Sequence, residues 1–433
     1  MNFNQFSLLK TRRFLPLFLT QFLGAFHDNL FKNALVVLIL YGAATQATSN
    51  PEILVTAATG IFILPFILFS AMGGQLADKY PKHLLIRRIK TAEMGIALLG
   101  FASLLSGSLI LSFITLFALG TQSAFFGPSK YSILPEHLED HELIGGNALV
   151  NTGTFLAILI GTIAGTLMIT MAAGKVIVST VLLAVAVAGY FCSRFIPPNI
   201  DHAPNLYIKL NPIAGTVANI KRTFSQTPDI VYAVCGTGWF YFLGALFLAQ
   251  FPNYTKLTLG ADEFVLALFM ALFSIGIGIG GLLNNRILGG NITARFAPFA
   301  MLGITAFTFD LYFASLPFAN IASTDMLASL PHFIASWAGI HIAIDIFMIS
   351  VCGGIFVVPL FAIIQHRTND KERARVVAGN AIIDSCCILL SAVLSALLFT
   401  LGASILQLFI IFACVNIAVA FVFWRRNRQV KAA

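Results

Sequence analysis

Charged residues are scarce in this sequence. Only 10% of its 433 residues are Asp, Glu, Lys or Arg and 58% are hydrophobic, whereas an ordinary soluble domain is about a quarter charged. Apolar runs of about 20 residues, the length that crosses about 30 Å of hydrocarbon, recur along the whole chain. Because backbone polar groups in lipid must be paired within the chain, these runs predict helices. The composition excludes a soluble domain and predicts an all-α membrane protein.

The sequence also lacks the patterns of an enzyme. Its six cysteines all fall within predicted spans and show neither metal-ligand nor disulfide spacing. There is no P-loop, no Cys/His metal motif and no serine nucleophile elbow, and His366 and Asp370 stand in a basic loop without a nucleophile pattern. We therefore predict no enzymatic activity, no cofactor and no bound metal.

Twelve apolar runs are long enough to cross a membrane. The first of them is too long for the apolar part of a signal peptide, and no small-residue cleavage site follows it. The predicted spans cover residues 14–42, 53–73, 84–106, 109–127, 144–171, 175–197, 229–252, 263–285, 295–317, 338–365, 375–400 and 403–424.

The basic residues predict the orientation of these spans. If both termini are cytoplasmic, the cytoplasmic segments contain all of the 26 Lys and Arg residues except Lys32, Lys175 and Lys256. Such a bias is the positive-inside rule, so we expect both termini in the cytoplasm. The rule also accounts for the net charge of +8, and no nucleic-acid partner is needed to explain it.

The longest polar connection divides the spans into two sets of six. It runs from Pro197 to about Pro228 and contains several prolines. The sequence therefore predicts an N-terminal six-helix bundle at 1–197, a cytoplasmic linker at 198–228 and a C-terminal six-helix bundle at 229–433.

One short pattern follows both the second and the eighth predicted span. In each, a glycine precedes Asp or Asn by four residues and a basic residue by five: Gly74-Gln-Leu-Ala-Asp78-Lys79 and Gly281-Leu-Leu-Asn-Asn285-Arg286. This match predicts a parallel internal repeat. We assign the polar pairs to a cytoplasmic gate that opens and closes, and expect Arg373 and Arg375 to be partners of Asp78. A purely topological or helix-capping role is the alternative.

The first span has three polar residues in its middle. Charges at this depth cost about 2.5–3.5 kcal/mol each, so they seldom lack a role. Asp28 and Lys32 are four residues apart and share a helix face with Asn29 nearby. We interpret them as the lining of a polar cavity; a structural ion pair between helices is the alternative.

Other charged residues in the spans are weaker candidates. Lys130 follows a Gly-Pro pair at the end of the fourth span and is either a headgroup ligand or an ordinary anchor. His341 and Asp345, four apart in the tenth span, could bind substrate or form a helix–helix hydrogen bond. Asp310 and Asp384 are further intramembrane acids to which the sequence gives no role.

Several segments resemble known transporters. The segment that begins at Gly74 and continues Gln-Leu-Ala-Asp78-Lys79-Tyr-Pro-Lys82 resembles the loop signature of the major facilitator superfamily. Three longer segments resemble the bacterial lysophospholipid transporter family and the transporter half of its fusions with an acyltransferase: 21–34, 126–136 and 353–365.

The resemblance implies a function and a site. It implies two bundles around a midplane cavity and alternating access between its two sides. It implies that lysophospholipid, chiefly lysophosphatidylethanolamine, moves from the outer to the inner leaflet of the bacterial inner membrane and is then re-acylated by an acyl-ACP-dependent acyltransferase. No histidine is followed by Asp five residues later, as in such acyltransferases, so we expect that enzyme to be a separate protein. Asp28 would bind the headgroup ammonium, and Lys32 and Lys130 its phosphate.

The alternative is a proton-coupled exporter of drugs, siderophores or other metabolites on the same fold. Many such exporters have an arginine four residues before a glycine of the fourth span, and here Leu116 stands before Gly120. They also have a Gly-Pro pair in the fifth span, and the segment from Gly161 to Gly165 contains no proline. Both differences favour the lipid transporter without excluding the exporter.

Overall fold

The structure is a computed structural model that describes residues 4–41, 51–199, 203–209, 211–319 and 328–432. Twelve of its helices are long and apolar enough to cross a membrane. They are α1 Leu15–Tyr41, α2 Pro51–Lys79, α3 Lys82–Ser106, α4 Leu109–Ser132, α6 Asp140–Ile169, α7 Gly174–Arg194, α9 Pro228–Asn253, α10 Glu263–Leu288, α11 Ala297–Ala319, α13 Trp337–Arg367, α14 Arg373–Thr400 and α15 Ile405–Ala432. Three shorter helices are α5 Leu134–His137, α8 Pro212–Phe224 and α12 Leu330–Ala335.

The twelve predicted spans are confirmed as helices, with some changes at their ends. Several helices continue past the apolar run into polar sequence; α2 reaches Lys79 and α4 reaches Ser132. A helix does not stop where the apolar run stops, because its backbone hydrogen bonds do not depend on lipid. In the described ranges there is no β-strand, only an isolated bridge between Ala261 and Ala328. Residue 42 of the first predicted span, and residues 200–202 and 210 of the linker, lie outside the described residues.

Side chains and glycines define several helix ends. Ser108 caps α4 by accepting from the Leu111 amide, and Asp262 caps α10 by accepting from two backbone amides. Oxygens of this kind satisfy amides that have no partner within the helix. Gly107 ends α3 at φ 67° and Gly289 ends α10 at φ 58°, a left-handed conformation that glycine adopts without strain. These local signals fix where each span begins and ends.

The helices pack as two sets, with a small number of helices joining them. In the first set α1 packs on α6, α2 on α4 and α3 on α7; in the second α10 and α11 pack on α13 and α9 packs on α14. Contacts between the sets run from α2 to α14 and from α6 to α10, and α8 touches both α2 and α14. An even number of spans places both chain termini at one end of the helices, which we call the terminal face; the other end is the opposite face.

Close packing between α10 and α13 depends on glycine. A methyl group at Gly280 would overlap the carbonyl oxygen of Val351, and one at Gly354 would overlap that of Ile277. Small residues let two helix backbones approach closely, which is the main source of attraction between helices in lipid. The glycines therefore make this pair of helices rigid.

We expect Gly280→Ala to destabilise the protein, whereas Gly244→Ala on α9 does not. Overpacking of a close helix contact costs about 1–3 kcal/mol, but a methyl group at Gly244 meets nothing within 4 Å. Thermal unfolding of the purified variants measures the difference. Equal melting temperatures for the two variants would show that the α10–α13 contact is looser than described.

Candidate functional site

Asp28 is the centre of a buried polar site in the first set of helices. It lies midway along α1 and is 6% exposed. Its Oδ2 accepts a hydrogen bond of 2.5 Å from the Ser123 hydroxyl of α4, and the His27 ring lies 3.6 Å from its Oδ1. That Oδ1 is buried and accepts no hydrogen bond from the described residues. One oxygen of the carboxylate is thus held in place while the other is available to a ligand.

A chain of buried polar groups supports this arrangement from behind. Gln122, next to Ser123, donates a hydrogen bond of 2.8 Å from its side-chain amide to Oε2 of Glu93. The same oxygen accepts a hydrogen bond of 2.5 Å from Lys90 Nζ. Lys90 and Glu93 are both completely buried. A buried pair is stable only when its geometry is good; here Oε2 of Glu93 accepts both hydrogen bonds, whereas its Oε1 is buried and accepts none from the described residues. The network fixes α4 relative to α3 and thereby orients the serine that holds Asp28.

The sequence did not single out Ser123 or Gln122, although two polar residues in the apolar run of α4 were a signal. By sequence spacing alone, Arg87 and Lys90 are both possible partners of Glu93. The structure pairs Glu93 with Lys90, whereas Arg87 donates to backbone carbonyls at the end of α7. The choice depends on burial: Lys90 points into the bundle, where a methyl group at Gly24 of α1 would lie 2.6 Å from its ammonium nitrogen.

Two ammonium groups lie within the electrostatic reach of Asp28. They belong to Lys32 of α1 and Lys130 of α4. Lys32 Nζ is 5.6 Å from the ring centroid of Phe62, and Lys130 Nζ is 4.5 Å from that of Tyr131. Neither forms an ion pair with a carboxylate of the described residues. The site therefore combines an incompletely bonded carboxylate with two ammonium groups that lack a direct anionic partner.

Asn29 is turned away from this group. Its side-chain amide donates 2.8 Å to the Ala25 carbonyl of its own helix. Its Cβ would be 3.3 Å from a methyl group at Gly161, so it lies against α6. The side-chain amide of Asn33, one turn further along α1, donates a hydrogen bond of 3.0 Å to the Thr162 hydroxyl of α6. The two asparagines thus join α1 to α6 in this conformation.

The second set of helices faces this region with Asp384 of α14. Its Oδ2 accepts a hydrogen bond of 2.8 Å from the Asn380 side-chain amide, and its buried Oδ1 accepts no hydrogen bond from the described residues. It lies close enough to interact electrostatically with the hydroxyls of Tyr131 on α4 and Tyr241 on α9. Tyr131 also stacks on Phe361 of α13, with 5.2 Å between ring centroids and 4° between planes. Asp384 is therefore a candidate site residue to which the sequence gave no role.

His341 and Asp345 are placed elsewhere. His341 Nε2 lies 3.0 Å from Oδ2 of Asp310 on α11 and 3.9 Å from Oδ2 of Asp345. Within the described residues, the polar contacts of His341 and Asp345 stay in their own set of helices and do not reach the set that contains Asp28. The structure therefore does not bring them to Asp28: α13 directs this face toward α11, within its own set, and His341 forms the helix–helix hydrogen bond that was the alternative, with Asp310 as its partner.

Asp78 joins the two sets at the terminal face. It is completely buried, and it accepts hydrogen bonds from the backbone amide of Ala374 at 2.9 Å and from Arg375 Nε at 2.6 Å. Ala374 and Arg375 form the first turn of α14, whose amides have no partner within the helix. A negative charge is stabilised there by the helix dipole as well as by the guanidinium. Asp78 of α2 thus acts as a helix cap across the boundary between the sets.

The other residues of the predicted gate are arranged differently. Arg373 does not contact Asp78; it turns back to Asp370 and the Gln365 carbonyl. Lys79 lies 5.8 Å from the ring centroid of Tyr80, and Arg286 is exposed. Asn285 packs on α6, where a methyl group at Gly145 would lie 3.7 Å from its Cγ. The end of α10 therefore meets the start of α6, much as the end of α2 meets the start of α14.

Further hydrogen bonds join the sets in the terminal halves of their helices. Asn147 of α6 and Gln365 of α13 exchange two bonds, of 2.9 and 2.8 Å. Thr152 of α6 donates 3.1 Å to the Gly278 carbonyl of α10. Outside these helices, Asn219 of α8 donates 2.7 Å to the Arg375 carbonyl. These contacts close the space between the sets on the terminal side.

We expect Asp78→Asn to weaken this closure. The change leaves the Arg375 guanidinium buried without its carboxylate, a loss of about 3–5 kcal/mol for a buried pair. A cysteine at Thr152, in a chain without its six native cysteines, should then react faster with a thiol reagent applied from the terminal side. Lys79→Ala, which removes an adjacent charge that has no carboxylate partner in the described residues, is the control. Identical labelling rates in both variants would contradict this role of Asp78.

Comparison with known proteins identifies the fold family. Residues 17–344 match the Major Facilitator Superfamily. The lysophospholipid transporter LplT of Salmonella typhimurium is 26% identical over 371 residues, 85% of this chain and 82% of the relative. The human organic anion transporter MFSD10 has a TM-score of 0.74 at 13% identity, covering 95% of this chain and 98% of that one. The fucose:proton symporter FucP of E. coli has a TM-score of 0.70 at 13% identity over the same shares of the two chains.

All three are named as transporters, in agreement with the prediction that the chain is not an enzyme. The family match covers well over half of the residues, and the twelve helices agree with it. The chain therefore belongs to the Major Facilitator Superfamily.

Proposed function

We propose that this protein transports lysophospholipid, chiefly lysophosphatidylethanolamine, from the outer to the inner leaflet of the bacterial inner membrane. The observation that carries the proposal is the combination of Asp28, with one buried oxygen unbonded, and the two ammonium groups of Lys32 and Lys130. Phosphoethanolamine has one ammonium and one phosphate. Burial of both charges requires opposite charges in the protein, which this site supplies. The relatives named lysophospholipid transporters give independent support.

In this proposal each side chain has a defined role. Oδ1 of Asp28 accepts from the headgroup ammonium, and Ser123 holds the carboxylate in the required orientation. Lys32 and Lys130 bind the phosphate, with charge-assisted hydrogen bonds that are roughly twice as strong as neutral ones. Asp384, from the other set of helices, offers a second carboxylate to the ammonium when the sets approach each other. Asn29 is freed for the headgroup only if α1 and α6 separate.

The direction of access follows from the contacts between the sets. We take the terminal face to be cytoplasmic, which the positive-inside bias of the sequence supports. Asp78, Asn147 and Thr152 bond across the sets on that face, so this conformation admits substrate from the outer side. Breaking these bonds and rocking the sets opens the inner side, which is alternating access. Lysophospholipid delivered to the inner leaflet is a substrate for a separate acyl-ACP-dependent acyltransferase.

We expect Asp28→Asn and Lys32→Ala each to lower lysophospholipid transport by a factor of about ten to a hundred. Loss of one hydrogen bond to a charged group costs about 1.5–3 kcal/mol, and each 1.4 kcal/mol is a factor of ten. Ser123→Ala should lower transport less, because it leaves the Asp28 charge in place. The measurement is uptake of radiolabelled lysophosphatidylethanolamine at equal amounts of protein in the membrane.

Thr121→Ala is the matched control for Ser123→Ala. The hydroxyl of Thr121 is also on α4 but bonds the Phe117 carbonyl of its own helix at 2.8 Å. Full uptake is expected from this variant. Normal uptake by Asp28→Asn and Lys32→Ala would overturn the assignment of the site even if the chain moves lysophospholipid.

The same uptake experiment tests the function. Spheroplasts that lack their own lysophospholipid transporter are supplied with this protein, with and without a protonophore. Uptake in both conditions supports a lipid transporter that needs no proton gradient, and uptake only without the protonophore supports a proton-coupled one. Absence of uptake, with the protein present in the membrane, would overturn the proposal in favour of the proton-coupled exporter of metabolites.

A further inference from the structure

Three side chains that the proposed transport site does not use meet between α11 and α13. Asp310 lies on α11, and His341 and Asp345 are four residues apart on one face of α13. His341 Nε2 is 3.0 Å from Asp310 Oδ2 and 3.9 Å from Asp345 Oδ2. The three atoms, one from each residue, all lie within 4.8 Å of one another.

The Asp345 carboxylate is buried without a hydrogen-bond partner among the described residues. Its side chain is 1% exposed, and neither of its carboxylate oxygens accepts a hydrogen bond from the described residues. A buried charge without hydrogen bonds is costly unless it is paired or coordinates a metal. Among the described residues, the cation that acts on it is the His341 ring, if protonated, and that ring already bonds Asp310. Two carboxylates therefore share one histidine.

We propose that Asp310, His341 and Asp345 bind a divalent transition-metal ion such as Zn²⁺. An imidazole nitrogen with two carboxylate oxygens is a ligand set that suits Zn²⁺, whereas Mg²⁺ and Ca²⁺ prefer oxygen alone. Ligand atoms about 2.0–2.2 Å from a Zn²⁺ lie about 3.3 Å apart in a tetrahedron. The distance from His341 to Asp310 is close to this value, and Asp345 needs to move about half an ångström closer to His341. The two carboxylate oxygens lie within 4.8 Å of each other, so they need to approach by up to about 1.5 Å.

The position of the cluster indicates how an ion reaches it and what the ion does. Trp337 starts α13 at the opposite face and is 77% exposed, as is typical of an interfacial aromatic residue. His341, one turn further, is 36% exposed and Asp310 is 48% exposed, so the site opens to the outside of the bundle. Both helices belong to one set. The ion therefore clamps α11 to α13 and is not cargo on the path between the sets.

The sequence gave no metal pattern here because Asp310 and His341 are 31 positions apart. They lie on different helices, with α12 between them in the chain. Only the packing of α11 on α13 brings the third ligand to the pair. The prediction of no bound metal, which depended on local spacing, could not detect such a site.

Titration of the purified, metal-free full chain with Zn²⁺ alone tests the proposal. Calorimetry should show about one tight site, which excess Mg²⁺ does not displace. Asp310→Asn and Asp345→Asn should each weaken binding more than about tenfold, since even residues that only support a metal ligand contribute that much. Zn²⁺ should also raise the melting temperature of the unaltered protein and not that of Asp310→Asn. Asp310 is half exposed, so this variant is expected to fold.

His366→Gln is the control. His366 also lies 3.1 Å from a carboxylate, that of Asp140, but this pair is exposed and has no second carboxylate. Its loss should leave Zn²⁺ binding unchanged. Three outcomes would overturn the proposal: no saturable Zn²⁺ binding by the unaltered protein, full binding by both aspartate variants, or displacement of Zn²⁺ by Mg²⁺. The first would indicate that Asp345 is kept neutral by a proton instead, the second that Zn²⁺ binds elsewhere, and the third that the site does not select transition metals.

Discussion

The requirement that polar groups in a membrane find partners within the protein governs this structure. Two pairs of buried charges meet this requirement: Lys90 with Glu93 and Asp78 with Arg375. Against this background, the carboxylate oxygens that lack a hydrogen bond are informative. Those of Asp28, Asp384 and Asp345 are buried and accept none from the described residues. Oε1 of Glu93 also accepts none, but that carboxylate is already paired with Lys90 through its other oxygen. Because buried polar groups are nearly always bonded, the unbonded oxygens of the three aspartates are candidates for contact with a ligand.

The contacts within a set of helices differ in kind from the contacts between sets. Within a set, glycines such as Gly280 and Gly354 bring backbones together, and separating them would lose attraction that lipid does not replace. Between the sets Gly74 also allows one close approach, but the terminal side is closed in addition by hydrogen bonds, such as those of Asp78 and Asn147. Water can replace these bonds once the interface opens. This difference lets two rigid bodies move against each other, as alternating access requires.

Asp78 illustrates how a local motif acquires its role from the fold. The spacing of Gly74 and Asp78 at the end of α2 indicated a polar cap but not which helix it serves. In the structure, a methyl group at Gly74 would be 2.7 Å from the Ala378 side chain, so the glycine allows α14 to approach. The carboxylate then reaches the free amides at the start of α14. Of the two arginines that the sequence analysis named as partners, Arg375 also donates to this carboxylate, whereas Arg373 bonds Asp370 and the Gln365 carbonyl.

Hydrophobicity and length determined the twelve helices, because a run of about 20 apolar residues has few alternatives to a membrane span. The cost of charge in lipid likewise marked Asp28 and Lys32 without knowledge of their neighbours. The tertiary structure decided which side chains support them. Ser123, Gln122 and Asp384 became part of the site through helix packing, and His341 and Asp345 were turned toward Asp310. Periodicity places a residue on a face of its own helix, but which helix that face meets depends on contacts between residues far apart in the sequence.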